Sequence, residues 1–149
     1  MMEICQENSP EYAALFAYYE KLAAVLADKA DLGVRMKAAY DKKQLLALKE
    51  ICEKEIPETI QNLEEMKVLR EDLWMSESKP FGYELMDVKL GAVITRLNST
   101  IRRTKKYLDG SIPCLEELET RLPYFEKNAD KRENRWSQII SGSDLIDTI

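Results

Sequence analysis

Apolar residues recur along this chain at three- and four-residue steps. Tyr12, Leu15, Phe16, Tyr19, Leu22, Ala23, Leu26 and Ala30 form the first series, which has the period of a helix with one face against a core. Ala13, Ala14, Ala17, Ala24 and Ala27 widen the stripe with small side chains that let a neighbouring helix approach. Ser9-Pro10-Glu11 announces the start: Ser9 suits an N-cap, Pro10 the first helical position, and Glu11 complements the helix dipole. The stripe ends near Leu32-Gly33, and Val34 to Tyr40 reads as a short second helix or an extension bent at Gly33.

Asp41-Lys42-Lys43-Gln44 resembles a capping box, with Asp41 as the cap and Gln44 reaching back. A long helix then runs to about Ser76, its inner face carrying Leu45, Leu48, Ile51, Cys52, Ile56, Ile60, Leu63, Val68 and Leu73. Pro57 removes a backbone donor and is expected to kink this helix. Ser76 to Gly82 is a loop. A third long helix follows from about Tyr83 to Leu108, with Leu85, Met86, Val88, Leu90, Val93, Ile94, Leu97, Ile101 and Leu108 as its apolar positions. Gly110 closes it as a C-cap, and a shorter helix is expected from Cys114 to Leu122, stopped by Pro123. No alternating strand pattern and no fixed-period repeat appears. The reading is all-α: an antiparallel helical bundle of three long helices plus shorter ones, forming one domain over 1–149. Its core bundle covers about 10–126 and a C-terminal tail covers 127–149.

The 149 residues suffice for one core but not for a (β/α)8 barrel of ~250 residues. The net charge of −5 is mixed in sign, so composition shows no nucleic-acid footprint. Histidine is absent, which removes Ser-His-Asp and Cys-His catalysis and His-ligated metals. Cys5, Cys52 and Cys114 are odd in number and far apart, with no C-x-x-C pair. They read as reduced thiols of a cytoplasmic protein, Cys52 and Cys114 serving as small apolar residues. The first residues lack the pattern of a signal peptide, and no stretch approaches ~18 apolar residues, so no membrane partner and no cofactor is expected.

Three features invite a chemical reading. Glu64-Glu65, Glu71-Asp72 and Glu116-Glu117 are carboxylate pairs, but helical neighbours point about 100° apart and do not converge on one substrate. The run Arg102-Arg103-Thr104-Lys105-Lys106 lies where cations stabilise a helix C-terminus, and no second cluster of that density or aromatic platform accompanies it. Met36, Met66, Met75 and Met86 sit at dispersed helical positions and read as core. The stretch from Leu73 to Glu84 differs, because Trp74, Phe81 and Tyr83 surround the tight loop Pro80-Phe81-Gly82. Either Trp74 caps the core while the loop forces a turn, or these aromatics dock another domain or subunit. Trp74, Pro80, Phe81, Gly82 and Tyr83 are therefore the candidate contact residues.

Trp74-x5-Pro80-Phe81-Gly82-Tyr83-Glu84, followed by Asp87-Val88-Lys89-Leu90-Gly91 and Arg96-Leu97, resembles the helical C-terminal domain of bacterial family-20 glycoside hydrolases, exo-acting β-N-acetylhexosaminidases. Tyr18-Tyr19 with Leu22, Ala30-Asp31-Leu32-Gly33, Ala39-Tyr40, Tyr107-Leu108-x-Gly110, Leu115-Glu116-Glu117-Leu118 and Asn134-Arg135-Trp136 extend the similarity over roughly 10–140. The resemblance implies substrate-assisted chemistry on a catalytic barrel, using an adjacent Asp-Glu pair. No Asp-Glu dipeptide occurs in this chain; Glu71-Asp72 has the reverse order. No catalytic residue carries over. The resemblance implies a non-catalytic accessory domain that braces the catalytic domain of its parent enzyme or a homodimer interface. Phe81 or Tyr83 would then stand near the edge of the neighbouring sugar site. Met1-Met2, followed by residues that read as mid-protein sequence, favours a piece of a longer enzyme over a free-standing fragment. The alternative is a stand-alone helical protein–protein interaction module.

Overall fold

The computed structural model describes residues 9–119, and among these there is no strand. After a 3-10 turn, Pro10–Tyr12, the helices are α1 (Ala13–Lys29), α2 (Leu32–Asp41), α3 (Leu45–Glu50), α4 (Ile56–Glu77), α5 (Glu84–Leu108) and the short α6 (Glu116–Glu119). The all-α expectation holds. The picture of three long helices is coarser than the structure, because the expected central helix is α3 and α4 joined by a π-helical turn, Ile51–Glu55. The tail, Cys5, Leu122 and Pro123 lie outside the described residues.

Cross-helix bonds give the directions. Along α1, Tyr18, Lys21 and Asp28 meet Arg70, Glu65 and Asn62 of α4 in falling order, so the two helices run antiparallel. Lys67 with Asp87, and Cys52 with the Ile101 carbonyl, set α5 antiparallel to the α3–α4 rod in the same way. The rod is therefore central, with α1 and α5 both packed on it. Leu32, Met36, Ala39, Leu48, Ile51, Ile56 and Leu115 form one buried cluster, and Val25, Leu63, Met66 and Ile94 a second. Ile60 and Leu97 pack against both and join them into one core.

Local chemistry explains three departures from expectation. At Pro57 the expected single helix divides: the proline sits at the start of α4, directly after the π turn, where the Ile56 N–H donates to the Ile51 carbonyl across five residues. The wider turn is the backbone's accommodation of a residue with no N–H and a bulky ring. Asp41 is not a cap for the following helix. It ends α2 and accepts from Lys37, while Lys43 (φ +53°) takes the left-handed position and Lys43 and Gln44 donate back to the Tyr40 and Ala39 carbonyls. That pair of bonds is a Schellman C-cap, so the signal marked a helix end and not a helix start. At the chain's beginning it is the Ser9 carbonyl that accepts, from the Tyr12 N–H, and α1 starts at Ala13 with no side-chain cap. The last described helix starts at Glu116, two residues after its expected start.

The first apolar series also divides. Tyr18, Leu22 and Val25 pack with Leu63 and Met66 of α4, and Val25 is buried. Tyr12, Tyr19 and Leu26 face outward and are exposed, as are Ala23 and Ala30, with Phe16 half-buried. In the central rod Thr59 and Met66 are buried while Leu45 and Val68 are exposed, which shifts the inner face from the one expected.

Candidate functional site

The loop between α4 and α5 reverses the chain at one end of the bundle, within residues 78–83. Gly82 makes the reversal possible: its φ of +95° is one that L side chains rarely adopt, and a Cβ there would lie 3.7 Å from the Trp74 ring. Three side-chain bonds hold the loop. The Trp74 indole N–H donates to the Lys79 carbonyl at 2.8 Å, and the Gly82 N–H donates to a Glu84 carboxylate oxygen at 2.8 Å. The Tyr83 hydroxyl donates to the Lys67 carbonyl at 3.1 Å. Trp74 and Tyr83 pack ring against ring at 5.9 Å, tilted. On the other side of Trp74 the Arg70 guanidinium lies 5.3 Å from its ring centre and 5.7 Å from that of Tyr18, tying the loop to α1 through cation–π contacts.

The five candidate residues thus come together but do not share a role. Tyr83 is 4% exposed, and burial pushes its hydroxyl above the usual tyrosine range. It and Trp74 point into the fold and shape the loop. Phe81 is 85% exposed at the tip, with Pro80 exposed beside it. Phe81 shares this degree of exposure with Leu46, but it is an aromatic ring held in water on a well-anchored loop. Arg70 and Glu84 escaped the sequence reading. Their signals were present: Arg70 stands four residues before Trp74 on one helix face, and Glu84 opens α5.

The remaining features dissolve into structure. Glu65 is held by Lys21 and Gln61, and the Lys21 bond foremost draws its carboxyl below the usual range. Glu117 is likewise lowered by its 2.6 Å bond from Arg103. The basic run wraps its helix: Arg103 faces Glu117, Thr104 is fully buried, and Lys105 and Lys106 are exposed. Cys52 is a buried free thiol that donates to the Ile101 carbonyl at 3.5 Å, and burial raises it above the ordinary thiol range. Cys114 is a half-buried free thiol, raised chiefly for the same reason. Among the described residues no group of three or more Cys, Asp or Glu is placed to hold a metal ion. No helix there is long and apolar enough to cross a membrane.

A cleft lined by Leu45, Leu46, Lys49, Glu53, Lys105, Leu108 and Asp109 opens at the far end of the rod. A second cleft lies between the α1–α2 joint and α5, among Lys29, Met36, Val93, Arg96, Leu97 and Thr100. The first cleft sets Glu53 and Asp109 among the apolar Leu45, Leu46 and Leu108, with Lys49 and Lys105 beside them, and the second has no carboxylate in its lining. Curated proteins give no significant match to this chain. Residues 1–137 match the Glycoside Hydrolase 20C C-terminal domain family, and the chain belongs to that family, as a non-catalytic part of a glycosidase.

Proposed function

We propose that this chain is the accessory domain of an exo-β-N-acetylhexosaminidase and that it braces the catalytic domain, or a homodimer interface, through the tip of the α4–α5 loop. Phe81 carries the reading. Its ring stands 85% exposed on a loop already fixed by the Trp74, Gly82 and Tyr83 bonds. A preorganised aromatic loses little conformational freedom on docking, so most of its burial is realised as affinity. The protein would work in the cytoplasm, a location supported by the free thiol of Cys52.

The test is Phe81→Ala in the intact enzyme. Removing an aromatic ring that covers ~150–200 Å² at an interface costs about 4–5 kcal/mol at full burial. Thermal inactivation is expected several degrees lower, while the helix content of the domain is unchanged because the ring touches little within it. Unaltered inactivation together with unaltered KM and kcat refutes bracing through this loop.

A further inference from the structure

We infer that the outward face of α1 is a helix-docking seam, occupied in the parent glycosidase by a helix of the domain that precedes this one. The inference rests on the accessory-domain reading and adds a second face to it. Tyr12, Phe16, Tyr19, Ala23, Leu26 and Ala30 follow one another at alternating steps of four and three. Their mean period of about 3.6 residues is that of a straight α-helix, so the row stays on one face along its whole length. At roughly 100° per residue, this row lies about a third of a turn from the row of Leu22 and Val25 that faces α4, and its large side chains stay open among the described residues. Tyr12, Tyr19 and Leu26 are 54%, 47% and 56% exposed. Between them the small residues Ala23 and Ala30 leave the hollows that a partner's side chains fill. Glu20 stands exposed on one flank and makes no ion pair among the described residues. The fitting partner is an amphipathic helix with an apolar seam and a cation opposite Glu20.

Magnitude decides between a second copy and a tethered domain. With about half of each large side chain open, and ~150–250 Å² available per large ring, the seam offers on the order of 450 Å² and buries about 900 Å² counting both partners. That falls short of the ~1,200–2,000 Å² of stable free complexes and within the ~600–1,500 Å² of interfaces between domains of one chain. Tethering supplies a millimolar-order effective concentration that a free copy lacks. A twofold pairing centred on the seam would also set Glu20 beside its own copy, a like-charge contact that a different helix avoids. The family to which the chain belongs is one of C-terminal domains, and α1 is the first of the long helices to follow whatever precedes it.

The test places the photo-cross-linking residue p-benzoylphenylalanine at Tyr19 in the intact parent enzyme, an aromatic exchange at an exposed site that leaves the core untouched. A parallel sample carries it at Phe81, and circular dichroism confirms the fold of both. Irradiation followed by peptide mapping is expected to join position 19 to a helix of the preceding domain, in a species of single-chain mass. A link from position 19 to residues 120–149, a link of doubled mass to a second copy, or no link overturns the inference. Linking from position 81 but not from position 19 removes the seam and leaves the accessory-domain reading standing. Absence of links to the catalytic domain from either position removes both.

Discussion

Thr104→Val is expected to make this protein more stable. Thr104 on α5 is fully buried, and its hydroxyl has no hydrogen-bond partner among the described residues. A buried polar group left unpaired carries a desolvation cost of about 1–3 kcal/mol. Valine has nearly the same shape and nearly the same helix propensity, so the exchange opens no cavity and leaves the helix intact. The methyl that replaces the hydroxyl adds up to ~0.8 kcal/mol of apolar transfer. The expected net gain is about 1–3 kcal/mol. At about 2 kcal/mol per molar urea, the middle of the range for small proteins, that raises the urea midpoint by roughly 0.5–1.5 M. Thr59 is the internal control, because it is equally buried but donates to the Glu55 carbonyl at 2.8 Å. Thr59→Val loses a satisfied bond and should fall within about 1 kcal/mol of the parent on the destabilising side. Equilibrium urea unfolding followed by helical circular dichroism reads both variants. If Thr104→Val is no more stable than Thr59→Val, the Thr104 hydroxyl is satisfied in solution and the argument fails.

Glycine exchanges should separate by backbone conformation. Gly82→Ala forces a side chain into φ +95° and should cost about 1–2 kcal/mol, whereas Gly33→Ala and Gly91→Ala, in helices with open space around them, should each add about 0.5–1 kcal/mol. Equal effects at the three sites would contradict this account of the loop. Stability should fall at both ends of the pH range. Glu65 and Glu117 are lowered by Lys21 and Arg103 respectively, so their contribution is present above the unfolded glutamate value of about 4.3 and is lost as the pH falls through the lower folded values. Tyr83 is raised by burial; its contribution is present below about 10 and is lost as the pH rises through the folded value. Urea midpoints against pH check both limbs. The acid limb should flatten in Glu65→Gln/Glu117→Gln, and an unchanged limb in that variant rules out these two carboxylates as its cause.

The site was legible in part for a physical reason that particular residues show. Trp74, Gly82 and Tyr83 announce a tight aromatic turn, because glycine and bulky rings between two amphipathic runs leave few other geometries. Which ring faces water was not legible. Phe81 and Tyr83 are two residues apart and similar in hydrophobicity, yet one is 85% and the other 4% exposed. That choice is made by the Tyr83 hydroxyl reaching the Lys67 carbonyl across the helix pair. Arg70 acquires its role only when α1 brings Tyr18 alongside Trp74.

Helical class, the approximate ends of the long helices, the loop after α4 and the glycine that closes α5 all follow from local chemistry: periodicity, caps and the stereochemistry of glycine act within a few residues and need no partner. The caps at Asp41 and the response to Pro57 belong to the same local scale, but two local solutions compete there. A Schellman end and a π turn win because they let Met36, Leu48 and Ile56 meet in one cluster. The division of the first apolar series into a row facing α4 and a row facing outward was decided by tertiary structure alone. A helix whose apolar arc spans more than one neighbour can be covered on only one side by a single rod. Which side remains open depends on where that rod lies.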